Sequence, residues 1–252
     1  TKTGVAQFDW SPDGRRIAYL AENPLSAEEV RAIEGGEDPI VIGRTYRQIR
    51  LFVVDVAGNP DARPLTPDDR TVSAWTWSPD GKSIAFTHAP APDERYCYNV
   101  SISRVDTATG DVALLLPPGN RTGYDQPRHS PDGKWIACMV THPFNIVDIV
   151  KFPAGGGEPV TVASSLDEGL ALVAGGLWWS ADGESLLLPT ARGTAIAVTA
   201  FPANGSAPRD FFEHGTIGSF GMNRNRSHIF YAAEDSLVPQ EVYVTPADRY
   251  SP

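Results

Sequence analysis

Short apolar runs, each opened by a tight-turn signal, recur along the whole chain. Arg16-Ile17-Ala18-Tyr19-Leu20, Ser83-Ile84-Ala85-Phe86-Thr87, Trp135-Ile136-Ala137-Cys138-Met139, Ser185-Leu186-Leu187-Leu188-Pro189 and His228-Ile229-Phe230-Tyr231-Ala232 place apolar groups on both faces of an extended chain. Runs this short, bounded by Gly and Pro, read as strands buried on both sides. A second set follows: Leu51-Phe52-Val53-Val54-Asp55, Val100-Ser101-Ile102-Ser103-Arg104-Val105, Ile146-Val147-Asp148-Ile149-Val150, Ala195-Ile196-Ala197-Val198 and Val242-Tyr243-Val244. Short outer strands are expected at Arg63-Pro64-Leu65-Thr66 and Val112-Ala113-Leu114-Leu115, where an edge tolerates Pro. The last unit shows no clear fourth strand.

The turns that open the first set repeat. Trp10-Ser11-Pro12-Asp13-Gly14 returns as Trp77-Ser78-Pro79-Asp80-Gly81, His129-Ser130-Pro131-Asp132-Gly133 and Trp179-Ser180-Ala181-Asp182-Gly183, with a degenerate copy at Met222-Asn223-Arg224-Asn225-Arg226. The steps between first residues are 67, 52, 50 and 43, and periods of about 40 to 50 residues are those of propeller blades. Pro sets φ near −65°, Asp accepts backbone N–H bonds and Gly supplies the left-handed residue that closes a hairpin. Asp13, Gly14, Asp80, Gly81, Asp132, Gly133, Asp182 and Gly183 are therefore structural turn formers. The large residue that leads each copy suits packing between neighbouring blades. The expected fold is all-β, a β-propeller of about five four-stranded antiparallel blades with one short helical insertion. The blades fall at about 1–67, 68–118, 119–164, 165–214 and 215–252.

The long first step has a local cause. Residues 22–48 form an insertion between second and third strands, in which Ser26-Ala27-Glu28-Glu29 is a capping box opening a helix to about Glu34. Gly35-Gly36 ends it. Strand alternation puts the motif turns and third-to-fourth turns on one face of the disc. The insertion and the blade-to-blade links, at about 67–73, 117–123 and 164–172, share the other.

Composition narrows the function. With 23 Gly, 22 Pro and 41% hydrophobic residues the chain is globular and turn-rich. A net charge of −10 opposes binding to a phosphate backbone, so nucleic acid is not an expected partner. The one basic cluster, Arg44 to Arg50, reads as a solvated loop entering a strand. Cys97 and Cys138 lack the spacing of a metal or redox site and lie in apolar runs, which predicts two buried free thiols. No apolar run approaches the roughly 20 residues that span a bilayer, so no membrane partner is expected. The chain opens at Thr1 directly into a strand, without a Met or a signal segment, which suggests an excised or processed piece. Cytoplasm and periplasm stay equally open.

The repeat resembles the propeller of the prolyl oligopeptidase family of serine peptidases and, more loosely, that of TolB-type periplasmic proteins. The shared signature is Trp-Ser-Pro-Asp-Gly, two residues, Ile-Ala-Phe or Ile-Ala-Tyr, then Leu-Phe-Val-Val-Asp-Val and a closing Leu-Thr. Here it stands at Trp77 to Phe86, Leu51 to Val56 and Leu65-Thr66. The insertion Ser26 to Arg50 is similar to one in bacterial acylaminoacyl-peptidase and dipeptidyl-peptidase relatives. Pro239-Gln240-Glu241-Val242-Tyr243-Val244 resembles the segment before their hydrolase domain. The resemblance covers nearly the entire chain. It implies the later blades of a seven- or eight-bladed disc, with peptide substrate and a hydrolase domain as partners.

Catalysis in such a peptidase needs Gly-x-Ser-x-Gly on a strand-to-helix elbow, with Asp and His following. The sequence contains none: Gly81-Lys82-Ser83-Ile84-Ala85 lacks the second Gly and Gly218-Ser219-Phe220-Gly221 has the wrong spacing. No catalytic residue is therefore assigned to this chain. His88, His129, His142, His214 and His228 are scattered without paired-ligand spacing, and Gly155-Gly156-Gly157 reads as a hairpin turn. No metal or other cofactor is expected. Asp167-Glu168 lies ten residues before Trp178-Trp179. In dipeptidyl peptidases an acidic pair before a Trp-Trp turn motif holds the substrate's free amino terminus, and a sheltered carboxylate pair is a good ammonium partner. This pair is Asp-Glu, and Gly169 follows where a helix would continue, so a solvated loop is the competing reading.

The expected function is the non-catalytic propeller portion of a serine peptidase, gating and selecting short peptides for a hydrolase domain outside this chain. The alternative is a TolB-like binding module for protein or peptide partners. A propeller enzyme such as a lactonase would need a ring of metal-binding carboxylates, and the sequence shows no such cluster. Unpaired blade edges also make self-association possible.

Overall fold

The computed structural model describes residues 3–36, 46–57, 61–164, 176–193, 195–212 and 214–247. The chain divides into two compact units, Thr1–Gly123 and Tyr124–Pro252. The first holds two four-stranded sheets. Sheet one is β1 (Val5–Trp10), β2 (Arg16–Glu22), β3 (Ile49–Asp55) and β4 (Arg63–Pro64), hydrogen-bonded in that order. Sheet two is β5 (Thr71–Trp77), β6 (Ser83–Ala89), β7 (Ser101–Asp106) and β8 (Val112–Leu116). Every pairing in both is antiparallel.

From the boundary onward come three sheets. Sheet three is β9 (Gly123–His129), β10 (Trp135–Thr141), β11 (Val147–Pro153) and β12 (Val160–Ala163). Sheet four is β13 (Trp178–Trp179), β14 (Ser185–Arg192), β15 (Ala195–Pro202) and β16 (Arg209–Phe212). Sheet five has three strands among the described residues, β17 (Thr216–Met222), β18 (His228–Glu234) and β19 (Glu241–Pro246). Most consecutive strands are joined by short turns whose closure costs little entropy, while β2 and β3 pair across the long insertion.

Within each unit the sheets stack face to face, and one set of positions builds every such contact. Counting from the residue that leads each turn motif, that residue, the second before it and the seventh and ninth after it face the preceding sheet. In sheet two these are Trp77, Trp75, Ile84 and Phe86, packed on Ala18, Leu20, Leu51 and Val53 of sheet one. In sheet four they are Trp179, Leu177, Leu186 and Leu188, packed on Ala137, Met139, Val147 and Ile149 of sheet three. In sheet five they are Met222, Phe220, Ile229 and Tyr231, packed on Leu187, Val198 and Ala200 of sheet four. Each fully buried ring such as Phe86 or Trp179 contributes about 2 to 3 kcal/mol of apolar burial.

The insertion folds locally as its sequence requires. Helix α1 (Ala27–Glu34) starts at Ser26, whose hydroxyl accepts from the Glu29 amide while the Glu29 carboxylate accepts from the Ser26 amide. Gly35 caps its end. Residues 37–45 of the insertion lie outside the described residues.

The expectation of two buried thiols fails. Cys97 is exposed, and only Cys138 is buried. Residues 96–100 do not form a strand: a 3₁₀ turn runs over Glu94–Tyr96, begun by Asp93, whose carboxylate accepts from the Arg95 amide at 2.8 Å. Pro90, Pro92 and this Asp cap favour a turn over a ladder, and a turn has no alternating buried face. Strand β7 begins only at Ser101.

Candidate functional site

The four clear motif turns share one hydrogen-bond pattern. In the first, Ser11 Oγ donates to Asp13 Oδ1 at 2.6 Å, Asp13 Oδ1 accepts the Arg15 amide at 3.0 Å, and Ser11 Oγ accepts the Arg16 amide at 2.9 Å. The same contacts recur around Ser78 and Asp80, Ser130 and Asp132, and Ser180 and Asp182. The glycines sit at φ between +69° and +73°. All four carboxyls lie below the usual carboxylate range, chiefly through the Ser hydroxyl and then the backbone N–H. In each turn one carboxylate oxygen takes both the Ser hydroxyl and a backbone amide, so these Asp residues build hairpins. The fifth copy keeps the pattern with other residues. Asn223 Oδ1 accepts the His228 amide at 3.0 Å, Asn225 Oδ1 accepts the Ser227 amide at 3.2 Å, and Arg226 takes φ of 57°.

In the first unit the motif turns meet the third-to-fourth turn. Arg16 donates to Gly81 O at 2.8 Å and to Thr107 Oγ1 at 3.0 Å, and Thr107 Oγ1 donates to Gly81 O. The opposite end carries the insertion. Tyr46 donates its hydroxyl to Asp93 at 2.7 Å, Gln48 Nε2 donates to Pro90 O at 2.9 Å, and Arg47 pairs with Glu22 at 2.8 Å. Arg95 bonds both Asp93 and the Tyr46 hydroxyl. The Arg95 guanidinium, then Tyr46, hold the Asp93 carboxyl far below the usual range. The return arm of the insertion is thereby tied to the loop after β6. Arg50 is not a solvated charge: it donates to Thr66 O and lies over the Phe52 ring, and burial lowers its pKa.

Beside this strap a cleft of about 410 Å³ opens between the first strands of sheets one and two. Leu20, Ile49, Val72 and Pro92 form its walls, and Gln7, Thr71 and Ser73 place polar groups at them. Its position follows from β-bulges. Pairing slips between Val5 and Gln7 and between Val72 and Ala74, and the extra residues, Ala6 and Ser73, line the cleft. Bulges re-aim side chains at strand edges. Ser73 Oγ shares a 2.8 Å hydrogen bond with Thr87 Oγ1. The arrangement suits an apolar side chain with a hydrogen-bonding backbone beside it. Sequence reading missed it because a bulge leaves no residue signature in a run such as Thr71-Val72-Ser73-Ala74.

The histidines occupy separate places. His88 is buried with Nε2 at 2.8 Å from Ser103 Oγ, and its pKa falls to about 4, mainly through burial and then the Arg70 charge. His142 lies 2.9 Å from Asp148, His214 bonds the Tyr231 hydroxyl at 2.8 Å, His228 bonds Ser227, and His129 is buried. Among the described residues no three His, Cys, Asp or Glu side chains come together. No helix among them is long and apolar enough to cross a membrane. The acidic pair Asp167-Glu168 lies outside the described residues.

Antiparallel sheets stacked face to face, each opened by the same turn motif, define the blades of a β-propeller, and that is the fold of this chain. No protein-family model matches it, and no curated protein matches it in sequence. Solved structures do. A puromycin-hydrolysing peptidase of Mycobacterium tuberculosis matches with a TM-score of 0.69 and 14% identity over 98% of this chain and 37% of the peptidase. A putative TolB from Agrobacterium tumefaciens matches with a TM-score of 0.66 and 16% identity over 98% of this chain and 79% of its own. TolB from Acinetobacter baumannii matches with a TM-score of 0.60 and 20% identity over 98% of this chain. This chain spans 52% of that TolB. Identities this low establish the fold alone.

Proposed function

We propose that this chain is the propeller portion of a serine peptidase of the prolyl oligopeptidase type, with blades at about 1–67, 68–118, 119–164, 165–214 and 215–252. It filters substrates for a hydrolase domain carried elsewhere in the parent protein. The observation that carries this reading is the fold match across 98% of the chain to a peptidase of which it spans only 37%. The absence of a nucleophile elbow from the sequence agrees with a division of labour in which the blades bind and the hydrolase cuts. The cleft beside the Tyr46–Asp93 strap supplies an apolar subsite for a short peptide. Asp167-Glu168 supplies carboxylates for its ammonium terminus.

Two measurements test the reading. The coding sequence beyond Pro252 should contain Gly-x-Ser-x-Gly followed by Asp and His. In the parent peptidase, Glu168→Ala should raise KM severalfold for substrates with free amino termini and leave N-acylated ones unchanged; equal effects on both dismiss the acidic pair.

A TolB-like binding module is the second reading, favoured by the 79% of the Agrobacterium protein that the chain spans. A stop codon in place of a hydrolase sequence would decide for it.

A further inference from the structure

Residues opposite each other in an antiparallel ladder share a face. Gln7 pairs with Leu20, so its side chain lies on the face of sheet one that meets sheet two. The bulges at Ala6 and Ser73 part the two first strands at this level and open the cleft. Its floor is core: Leu20 and Val72 are buried and belong to the apolar cluster between the sheets. Ile49 and Pro92 complete the walls. Pro92 adjoins Asp93, which Tyr46 and Arg95 hold in place. The cleft is therefore preformed, and its volume of about 410 Å³ is near the small end of ligand sites.

The polar groups in it are unequal. The Thr71 hydroxyl accepts the Ile49 amide at 3.3 Å, and the Ser73 hydroxyl shares a 2.8 Å hydrogen bond with Thr87 Oγ1. The Gln7 carboxamide has no hydrogen-bond partner among the described residues. A carboxamide carries a donor and an acceptor together, the complement of the C=O and N–H of a peptide. Among the described residues no Asp, Glu, Lys, Arg or His lines the cleft, and no aromatic ring does. A charged side chain entering it would lose water and gain no partner.

We propose that the cleft holds one uncharged aliphatic side chain of an extended peptide, while Gln7 bonds the peptide group beside that side chain. This rests on the peptide-filtering reading and gives it a specificity: aliphatic residues are admitted, acidic and basic ones turned away.

Blocked tripeptides test it. N-acetyl-Gly-Xaa-Gly-amide, with Leu, Lys or Glu at the centre, is titrated into the full chain and followed by amide chemical shifts. Blocking removes the terminal charges, so Asp167-Glu168 plays no part. The leucine peptide should shift the amides of Gln7, Ile49, Thr71, Val72 and Ser73. It should bind at least about tenfold more tightly than the other two. Gln7→Ala should weaken it about three- to tenfold, the loss of one or two hydrogen bonds, and keep the preference for leucine. Ala6→Trp, at an exposed edge position, should fill the cleft and abolish binding with circular dichroism unchanged. No shift with the leucine peptide, equal binding of all three, or an unaltered affinity in Gln7→Ala overturns the proposal. Shifts of the same amides with protein concentration and no peptide would assign the cleft to a second copy and refute it too. Absence of binding leaves the peptidase reading to the coding sequence beyond Pro252. A stop codon there, with leucine binding intact, removes the hydrolase and leaves the cleft's specificity standing.

Discussion

Asp80 shows how much of a blade rests on one side chain. Its Oδ1 takes the Ser78 hydroxyl at 2.6 Å and the Lys82 amide at 3.0 Å, and the sister residues Asp13, Asp132 and Asp182 do the same. A carboxyl depressed by such bonds contributes stability above the ordinary carboxylate range, and that stability is lost as pH falls through the depressed values. His88 acts earlier. Its folded pKa of about 4 lies below the ordinary 6.5, so the stability from keeping it neutral is complete above pH 6.5 and lost between 6.5 and about 4. The loss is on the order of 3 kcal/mol. Melting temperature against pH should thus decline in two stages on acidification, and His88→Gln should remove the upper one. The turn glycine is the other single-residue constraint. A Cβ on Gly14 would touch nothing within 4 Å, so Gly14→Ala carries the cost of φ +70° alone. Urea denaturation should show a loss of about 1 to 2 kcal/mol. Arg226 bears the same cost in the fifth turn.

At the scale of elements, the insertion and the strands stabilise themselves differently. Helix α1 buries no residue and depends on its ends. Ser26→Ala removes half of the capping box and should weaken the helix by about 1 kcal/mol. Amide exchange should speed up over 27–34 while the global midpoint stays put, because strands β2 and β3 pair along seven residues independently of the helix. Second strands such as β6 and β10 are buried on both faces and allow no such independence. A change at Ala18 is felt by Trp77 and Phe86 across the sheet contact. Strand β19 is different again: no further strand pairs with it among the described residues, and Val242 and Val244 stand in the open.

For the whole molecule, the two units repeat one packing rule. In the contacts within each unit the later sheet supplies most of the buried rings. The cleft beside the strap belongs to the same logic. It exists where bulged first strands of adjacent sheets part, next to an insertion that only sheet one possesses.

The blade fold was legible in the sequence because both its signals are local. Ser-Pro-Asp-Gly encodes its own hydrogen bonds within six residues, and strands buried on both faces show as unbroken apolar runs at Ile17-Ala18-Tyr19 and its equivalents. The capping box at Ser26 was legible for the same reason. Cys97 misled because Tyr96-Cys97-Tyr98 has the composition of a strand, while the Asp93 cap and its bonds to Tyr46 and Arg95 bend it into a turn. Tyr46 lies 47 residues away in sequence. The cleft and the buried neutral His88 were equally out of reach, since each depends on which strand ends up beside which. Sequence alone determined the repeating hairpin and the two-faced strand. Tertiary structure decided which of those faces found a partner, because burial is a property of neighbours and not of the residue that is buried.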